Sequence, residues 1–173
     1  FKDYANYLVK NFSNNKKKLF AIEAGSNTGV FIDYMQKDLN VRVLGVEPSD
    51  LSKHCIEKNI NTINGYFNKK LAKKILEEHG QADFFIANHT FSNIVNNIDF
   101  IEGIKLLLKK DGIFSMQTHY HKAVIEKNLI ENFTHEHLSG FWVKPLREFF
   151  EKNGMELFDV KVVSAKSGSI RCF

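Results

Sequence analysis

The chain has 173 residues, of which 43% are hydrophobic and 25% are charged, and its formal net charge is +4. Low-complexity disorder is excluded, because 16 Phe and 5 Tyr supply apolar area that offsets the entropy of the chain. No uncharged apolar run approaches the length of a membrane span. The lysine clusters lack the neighbouring aromatic residues that are typical of a nucleic-acid-binding surface, so we expect no nucleic-acid partner.

Short β-branched or aromatic runs alternate with longer amphipathic segments along the chain, which is typical of an α/β sheet with crossover helices. The predicted strands are 19–24, 41–46, 61–64, 82–87, 112–118, 156–163 and 169–173. The predicted helices lie near 28–38, 49–58, 68–79, 92–109, 120–131 and 144–153. Crossover helices imply parallel neighbouring strands, whereas the short link before the last strand favours an antiparallel hairpin.

These elements predict one domain over residues 1–173, which could be an excerpt of a longer chain. The predicted fold is a Rossmann-like, seven-stranded, doubly wound α/β sheet that is mostly parallel with an antiparallel last strand. The cysteines Cys55 and Cys172 lie far apart and outside any CxxC pair, so the sequence indicates neither a disulfide framework nor a zinc site. We therefore expect a reducing, cytoplasmic location.

The first predicted strand runs into a glycine-containing loop that precedes a helix, with the sequence Glu23-Ala-Gly-Ser-Asn-Thr-Gly29. Open α/β sheets bind ligands at this edge, and Gly25 allows a tight turn and a close backbone approach. Ser26 and Asn27 add polar groups near a helix N-terminus. The third glycine of GxGxxG is absent, which counts against a nicotinamide-dependent dehydrogenase.

Glu47 ends the second predicted strand, in Gly45-Val-Glu-Pro-Ser49. A carboxylate at this place can accept hydrogen bonds from both hydroxyls of a ribose. On position alone, a favourable charge at the start of the next helix explains it equally well.

Two histidines flank a carboxylate in the segment His135-Glu136-His137. The spacing does not match HExxH, so a metal site is not expected. An imidazole that titrates near neutrality beside an orienting carboxylate suits a general base. A hydrogen-bonded structural histidine is the alternative that the residues leave open.

The runs 22–29 and 43–48 resemble those of the class I S-adenosylmethionine-dependent methyltransferases. More narrowly, the chain resembles the sugar C-methyltransferases of deoxysugar biosynthesis, through Asn64-Gly-Tyr-Phe67, 108–112, 168–171 and especially His135-Glu-His-Leu-Ser139. The resemblance covers essentially the whole chain. It implies that S-adenosylmethionine is the cofactor and that a small activated sugar is the acceptor.

The resemblance also implies roles for individual residues on the cofactor side. Glu23, Gly25 and Ser26 would hold the methionine end, with Asn27 in the same loop, and Glu47 would hold the ribose. Further residues of this side are Phe67 near the adenine, for which simple core packing is an equally good explanation, and Asn88 near the transferring methyl.

On the acceptor side, the resemblance makes His137 the base that removes a proton beside a keto group, with Glu136 as its partner. Two positions depart from the family, because Thr134 stands where a tyrosine is usual and Asn93 where a histidine is usual. These changes keep open an alternative O-methyltransferase acting on a sugar hydroxyl or a small phosphorylated surface-glycan precursor. A non-catalytic binding module is a further alternative, which the presence of both Glu47 and His137 disfavours. Tyr120, Lys166 and Arg171 are additional candidates for contacts with the acceptor.

Overall fold

The computed structural model of the protein describes residues 1–129 and 135–173. Over these residues it contains the strands β1 (Phe20–Ala24), β2 (Arg42–Glu47), β3 (Thr62–Asn64), β4 (Ala82–Asn88), β5 (Leu108–His119), β6 (Val160–Val163) and β7 (Ser169–Cys172). They form one seven-stranded sheet in the order β3-β2-β1-β4-β5-β7-β6. The pairs among β1 to β5 are parallel, and β7 runs antiparallel to both β5 and β6. The predicted fold class is confirmed.

Seven helices flank the sheet within the described ranges: α1 (Lys2–Phe12), α2 (Val30–Leu39), α3 (Ser52–Glu57), α4 (Lys69–His79), α5 (Asn97–Leu107), α6 (His121–Glu126) and α7 (Val143–Lys152). Short 3₁₀ turns occupy Phe91–Asn93 and Ala165–Ser167. The chain crosses the sheet between successive parallel strands, so helices cover both of its faces.

The central strands are buried on both faces, as their apolar sequences require. Neighbouring residues of a strand point to opposite faces, and in β4 Phe84 and Phe85 therefore enter two different cores. Phe85 packs with Phe67 and Phe100 on one face, whereas Phe84 belongs to the cluster of Tyr4 on the other. The sheet is thus fixed from both sides, which makes its edge a rigid platform.

Four predicted boundaries were wrong by four residues or more. One is the start of β5 at Leu108, which lies before the predicted strand 112–118 and inside the predicted helix 92–109. The other three differ for local reasons. The helix predicted at 92–109 begins only at α5, because Ile94 is extended and the Asn96 side chain accepts from the Asp99 amide at 3.0 Å, capping the new helix. The helix predicted at 120–131 ends at Glu126, before Asn128 with a φ of 52°. The strand predicted at 156–163 begins at Val160. Its first half instead pairs irregularly with the chain end, where the Phe173 amide donates to the Asp159 carbonyl at 2.9 Å.

The carboxyl ends of β1, β2, β4 and β5 meet at one edge of the sheet. The loops that follow these strands therefore converge, which is where a ligand site is expected in such sheets. Among the described residues, no helix is long and apolar enough to cross a bilayer.

Candidate functional site

A cavity of about 740 Å³ opens at the carboxyl ends of the central strands. One part of its wall comes from the ends of β1 and β2 and the loop 25–28, and the other from the chain after β4 and from Glu136. Its volume lies in the range of small-molecule sites. Sequence-predicted residues on its wall are Glu23, Gly25, Ser26, Asn27, Glu47, Phe67, Asn88 and Glu136.

Glu23 lies at the floor of the cavity and is 3% exposed. Its Oε1 accepts from Asn88 Nδ2 at 2.9 Å, whereas its Oε2 and Asn88 Oδ1 are buried without a partner among the described residues. Burial, with a smaller contribution from the charge of Glu47, raises the pKa of the Glu23 carboxyl to about 8, although the hydrogen bond from Asn88 lowers it. Two unpaired acceptor oxygens beside a cavity suit a ligand that brings a cation with several donors.

Gly25 turns the chain away from β1 with a φ of 73°, in the left-handed region that favours glycine. Its amide donates to the Val46 carbonyl at 2.8 Å, which ties the loop to the end of β2. A Cβ at Gly25 would collide with the Thr90 hydroxyl, so the glycine is required by the loop after β4 as well as by the left-handed turn. Sequence reasoning anticipated the tight turn and missed this contact.

Ser26 and Asn27 contribute differently to the same loop. The Ser26 side chain is buried, with its Oγ 4.0 Å from the Cys55 sulfur, and it lies beside Gly45 of β2. Asn27 is exposed with a φ of 53°, and its side chain accepts from the Thr28 amide at 2.8 Å. Both residues border the cavity, but the side chain of Ser26 also serves the packing between the loop and α3.

Glu47 is buried at the end of β2 and its carboxylate is oriented by three donors. Oε2 accepts from the Asn27 amide at 2.7 Å. Oε1 accepts from the Ser49 amide at 3.0 Å and from the Ser49 hydroxyl at 2.6 Å. Each carboxylate oxygen has about two acceptor sites, so Ser49 fills those of Oε1, and Oε2 keeps about one site for a ligand hydroxyl. Glu47 therefore links the two loops of this wall whichever ligand it holds.

Phe67 lies in the core and also borders the cavity. Its ring packs against Phe85 at 4.7 Å and against Phe100 at 5.1 Å between centroids, and the residue also borders the cavity. The neighbouring Tyr66 is 79% exposed on the same wall, and the sequence offered no signal for it. A flat apolar ring beside a more polar one suits an aromatic heterocycle.

The His-Glu-His segment is fixed to the chain after β4 by its downstream end. The amides of Leu138 and Ser139 both donate to the Ser92 carbonyl, at 2.8 and 3.1 Å. Glu136 is exposed and borders the cavity, whereas the half-buried His137 packs edge-on against His119 with 4.7 Å between centroids and is not among the lining residues. Thr134, the third predicted catalytic residue, lies outside the described residues.

Two histidines that sequence reasoning passed over lie beside this segment. His89 follows β4 and borders the cavity, and His119 ends β5, with 5.0 Å between their ring centroids. Burial lowers the pKa of His89 to about 3 and that of His119 to about 4, helped by the charge of Lys166. Both imidazoles are therefore neutral at physiological pH. Their position after central strands of the sheet was the signal that could have found them.

The remaining candidates divide between the cavity and the core. Lys166 and Asn93 are exposed on the cavity wall. Tyr120 packs against Trp142, with 6.4 Å between ring centroids. Arg171 is turned into the sheet, where it lies over the Tyr4 ring and donates twice to Gln117. Arg171 therefore has a structural role in the sheet, whereas Lys166 is a cation on the wall of the cavity.

Comparisons with known proteins agree with this geometry. The sequence profile of a family described as a methyltransferase domain matches residues 1–160. The C-methyltransferase NovU of Streptomyces niveus is 29% identical over 153 residues, which are 88% of this chain and 36% of that protein. The chain thus spans about a third of the length of this curated relative.

Solved structures share the fold at low sequence identity. Magnesium protoporphyrin IX methyltransferase from Synechocystis PCC 6803, solved with bound SAH, superposes with a TM-score of 0.71 at 14% identity, over 98% of this chain and 78% of that one. A SAM-dependent methyltransferase from Archaeoglobus fulgidus gives a TM-score of 0.71 at 13% identity, over 99% and 94% of the two chains.

The chain belongs to this methyltransferase domain family, with the seven-stranded fold of the class I enzymes. The predicted class and enzyme type are confirmed, and with them S-adenosylmethionine, the methyl donor that defines the class. The unpaired oxygens of Glu23 and Asn88 and the oriented Glu47 carboxylate fit such a group. No cluster of three or more His, Cys, Asp or Glu side chains suited to a metal occurs in the ranges 1–129 and 135–173.

Proposed function

We propose that this chain transfers a methyl group from S-adenosylmethionine to an activated sugar, nucleotide-linked or phosphorylated, at the carbon next to a keto group. The observation that carries the proposal is the division of one cavity between two kinds of wall. We call the group Glu23, Glu47 and loop 25–28 the donor wall. The acceptor wall comprises His89 and Glu136, which border the cavity, together with His119 and His137, whose rings pack behind them.

The donor wall supports cofactor binding through charge and hydrogen bonding. Glu23 Oε2 and Asn88 Oδ1 are buried acceptors that the α-ammonium of the methionine end would satisfy. Glu47 Oε2 retains about one acceptor site for a ribose hydroxyl, and Phe67 offers a ring for the adenine. When bound, S-adenosylmethionine supplies an electrophilic methyl group.

The acceptor wall supports proton removal beside that methyl group. In our proposal His137 takes the proton from the carbon beside the keto group, and Glu136 contacts the sugar or orients the base. Because the Ser92 carbonyl holds the segment after His137, the base is positioned before the acceptor binds. Lys166 on the same cavity provides a cation for a phosphate of the acceptor. The 29% identity to a C-methyltransferase over most of this chain agrees with a carbon acceptor.

An O-methyltransferase is the second candidate. It is favoured by Asn93, which borders the cavity where the related family usually has histidine. Deprotonation of a hydroxyl needs a base but no stabilised enolate, so it tolerates that change. The acceptor would then be a sugar hydroxyl or a small phosphorylated glycan precursor.

Transfer of an isotopically labelled methyl group distinguishes the two candidates. The protein is incubated with [¹³C-methyl]S-adenosylmethionine and a panel of nucleotide-linked 4-keto-deoxysugars and phosphorylated sugars, and the product is examined by NMR. We expect a carbon-bound methyl on a keto sugar. An oxygen-bound methyl would replace the proposal with the second candidate, and turnover of none of these sugars would contradict the proposed acceptor class.

A further inference from the structure

Arg171 fixes the orientation of a buried amide in the sheet. Its Nε and Nη2 atoms lie 3.2 and 2.7 Å from Gln117 Oε1. A guanidinium can only donate, so the oxygen of the Gln117 amide must face Arg171 and the nitrogen must face the other way. Gln117 is 4% exposed, which leaves this pairing little competition from water.

The oriented amide in turn fixes the tautomer of His89. Gln117 Nε2 lies 3.1 Å from His89 Nε2. The amide nitrogen can only donate, so His89 Nε2 accepts and the ring proton of the neutral imidazole is on Nδ1. The tautomer is therefore set by a chain of donors that begins at Arg171.

The Nδ1–H group of His89 lacks the partner that a buried donor needs. It is shielded from solvent and makes no hydrogen bond to any described residue, although His89 itself borders the cavity. Its backbone is held at a φ of 53°, an uncommon value for a non-glycine residue, while its amide donates to the Gln117 carbonyl at 2.7 Å. An unsatisfied donor held in a strained conformation at a ligand cavity is a feature of functional sites.

We propose that His89 donates its Nδ1–H hydrogen bond to the acceptor oxygen on which negative charge develops, with Gln117 and Arg171 as positioning residues. The inference rests on the proposed carbon methylation. As the C–H bond breaks, the proton passes to His137 and the electron pair moves onto the keto oxygen, where His89 stabilises it. Asn93 borders the same cavity at a position where the related family usually has histidine, and His89 supplies a donor there.

The surroundings of His89 favour this role over that of a base. His119 from β5 faces its ring, and His137 and Lys166 lie close enough to act on its charge. Burial and these neighbours lower the pKa of His89, so it remains a neutral donor while His137 exchanges protons. A preorganised donor of this kind requires no reorganisation as charge develops.

Two matched variants of His89 test whether its Nδ1–H donor, and not the remainder of the side chain, accounts for its role. Asn and Asp both tolerate a left-handed backbone, so His89→Asn and His89→Asp keep the local conformation. The Asn amide nitrogen can take the place of Nδ1–H, whereas Asp offers only acceptors when ionised. His54→Asn, on the exposed surface of α3, serves as the control.

The readout is deuterium exchange from D₂O into the carbon beside the keto group of a nucleotide-linked 4-keto-deoxysugar, with S-adenosylhomocysteine present. We expect His89→Asn to retain exchange within about tenfold and His89→Asp to lose about 10²-fold to 10³-fold. His54→Asn should exchange at the rate of the unaltered protein. Equal rates for His89→Asn and His89→Asp would overturn the role of His89.

A second readout does not depend on the acceptor. ¹⁵N NMR of the protein labelled at histidine should show His89 protonated at Nδ1, and Gln117→Glu should move the proton to Nε2, because a carboxylate accepts where the amide donates. A proton on Nε2 in the unaltered protein would overturn the inference. If Nδ1 is protonated but the unaltered protein exchanges no deuterium, the proposed carbon acceptor is wrong while the assigned tautomer stands.

Discussion

The donor wall and the acceptor wall border the same cavity but are built from opposite chemistry. The donor wall presents carboxylates, of which Glu47 is held by three short hydrogen bonds and Glu23 by one. The acceptor wall presents imidazoles, of which the half-buried His89 and the buried His119 are neutral. A cation and a hydroxyl suit the first wall, and an oxygen that gains negative charge suits the second.

The two walls share one physical property, which is that burial disfavours the charged form of one group in each wall, Glu23 and His89, in the free protein. The pKa of Glu23 is raised to about 8, and that of His89 is lowered to about 3. Charges that the ligands bring, or that the reaction creates, are therefore poorly screened in this cavity. The difference between the walls can be tested by variants that damage one function and preserve the other.

The largest effect is expected from the acceptor wall. His137→Ala should lower turnover of a nucleotide-linked 4-keto-deoxysugar by about 10²-fold to 10⁴-fold, because the proposed base is lost. The affinity for S-adenosylhomocysteine, measured by calorimetry, should stay within about threefold, since the base acts on the acceptor. An equal loss of cofactor affinity would show that His137 belongs to the donor side.

The reverse pattern is expected for the donor wall. Glu47→Gln should weaken the binding of S-adenosylhomocysteine by about tenfold to a hundredfold, because hydrogen bonds to a charged acceptor are worth about 1.5 to 3 kcal/mol. Asp50→Asn is the matched control, since Asp50 is an exposed carboxylate three residues away that pairs with Lys53. Unchanged affinity in Glu47→Gln would remove Glu47 from the ribose site.

Glu23 is expected to make the stability of the free protein depend on pH. Its folded-state pKa lies above the unfolded value of 4.5, so the folded protein binds the extra proton and stability falls as pH rises from about 4.5 to about 8. Glu23→Gln removes this penalty and should raise the Tm by several degrees at pH 8 and by less at pH 5. Thermal unfolding of both proteins across this range measures the difference. A shift of the same size at both pH values, as for the exposed control Glu57→Gln, would contradict the raised pKa.

A smaller effect is expected for His89 in acid. Its folded-state pKa lies below the unfolded value of 6.5, so the unfolded chain binds more protons and stability is lost as pH falls from about 6.5 towards 3. His89→Asn should lessen this loss in thermal scans between pH 7 and pH 4. Parallel Tm curves for the variant and the unaltered protein would indicate that His89 is not buried as a neutral ring.

The donor wall could be predicted from the sequence because its residues are consecutive or follow strands directly. Glycine at 25 is required by a backbone turn, and Glu47 lies at the end of a parallel strand, where its carboxylate accepts from the same loop. The directions of the strands followed in the same way from short runs and crossover segments.

Glu136 and His137 of the acceptor wall were predicted from the sequence, but the hydrogen-bonded chain that orients His89 could not be, because it depends on contacts between distant segments. His89, Gln117 and Arg171 are joined only when β4, β5 and β7 are adjacent, and each is an ordinary polar residue in isolation. Likewise, the collision that excludes a side chain at Gly25 comes from Thr90, which lies 65 positions further along the chain.

The central claim is that Glu23 in the donor wall receives the ammonium of the cofactor, and calorimetry tests it most directly. S-adenosylhomocysteine is titrated into the protein at pH 7 in buffers with different ionisation enthalpies, which gives the number of protons exchanged on binding. We expect binding to release close to one proton, as the ligand cation lowers the pKa of the Glu23 carboxyl from about 8, and Glu23→Gln to release none. Equal proton release in the two proteins, or no binding to the unaltered one, would contradict the account.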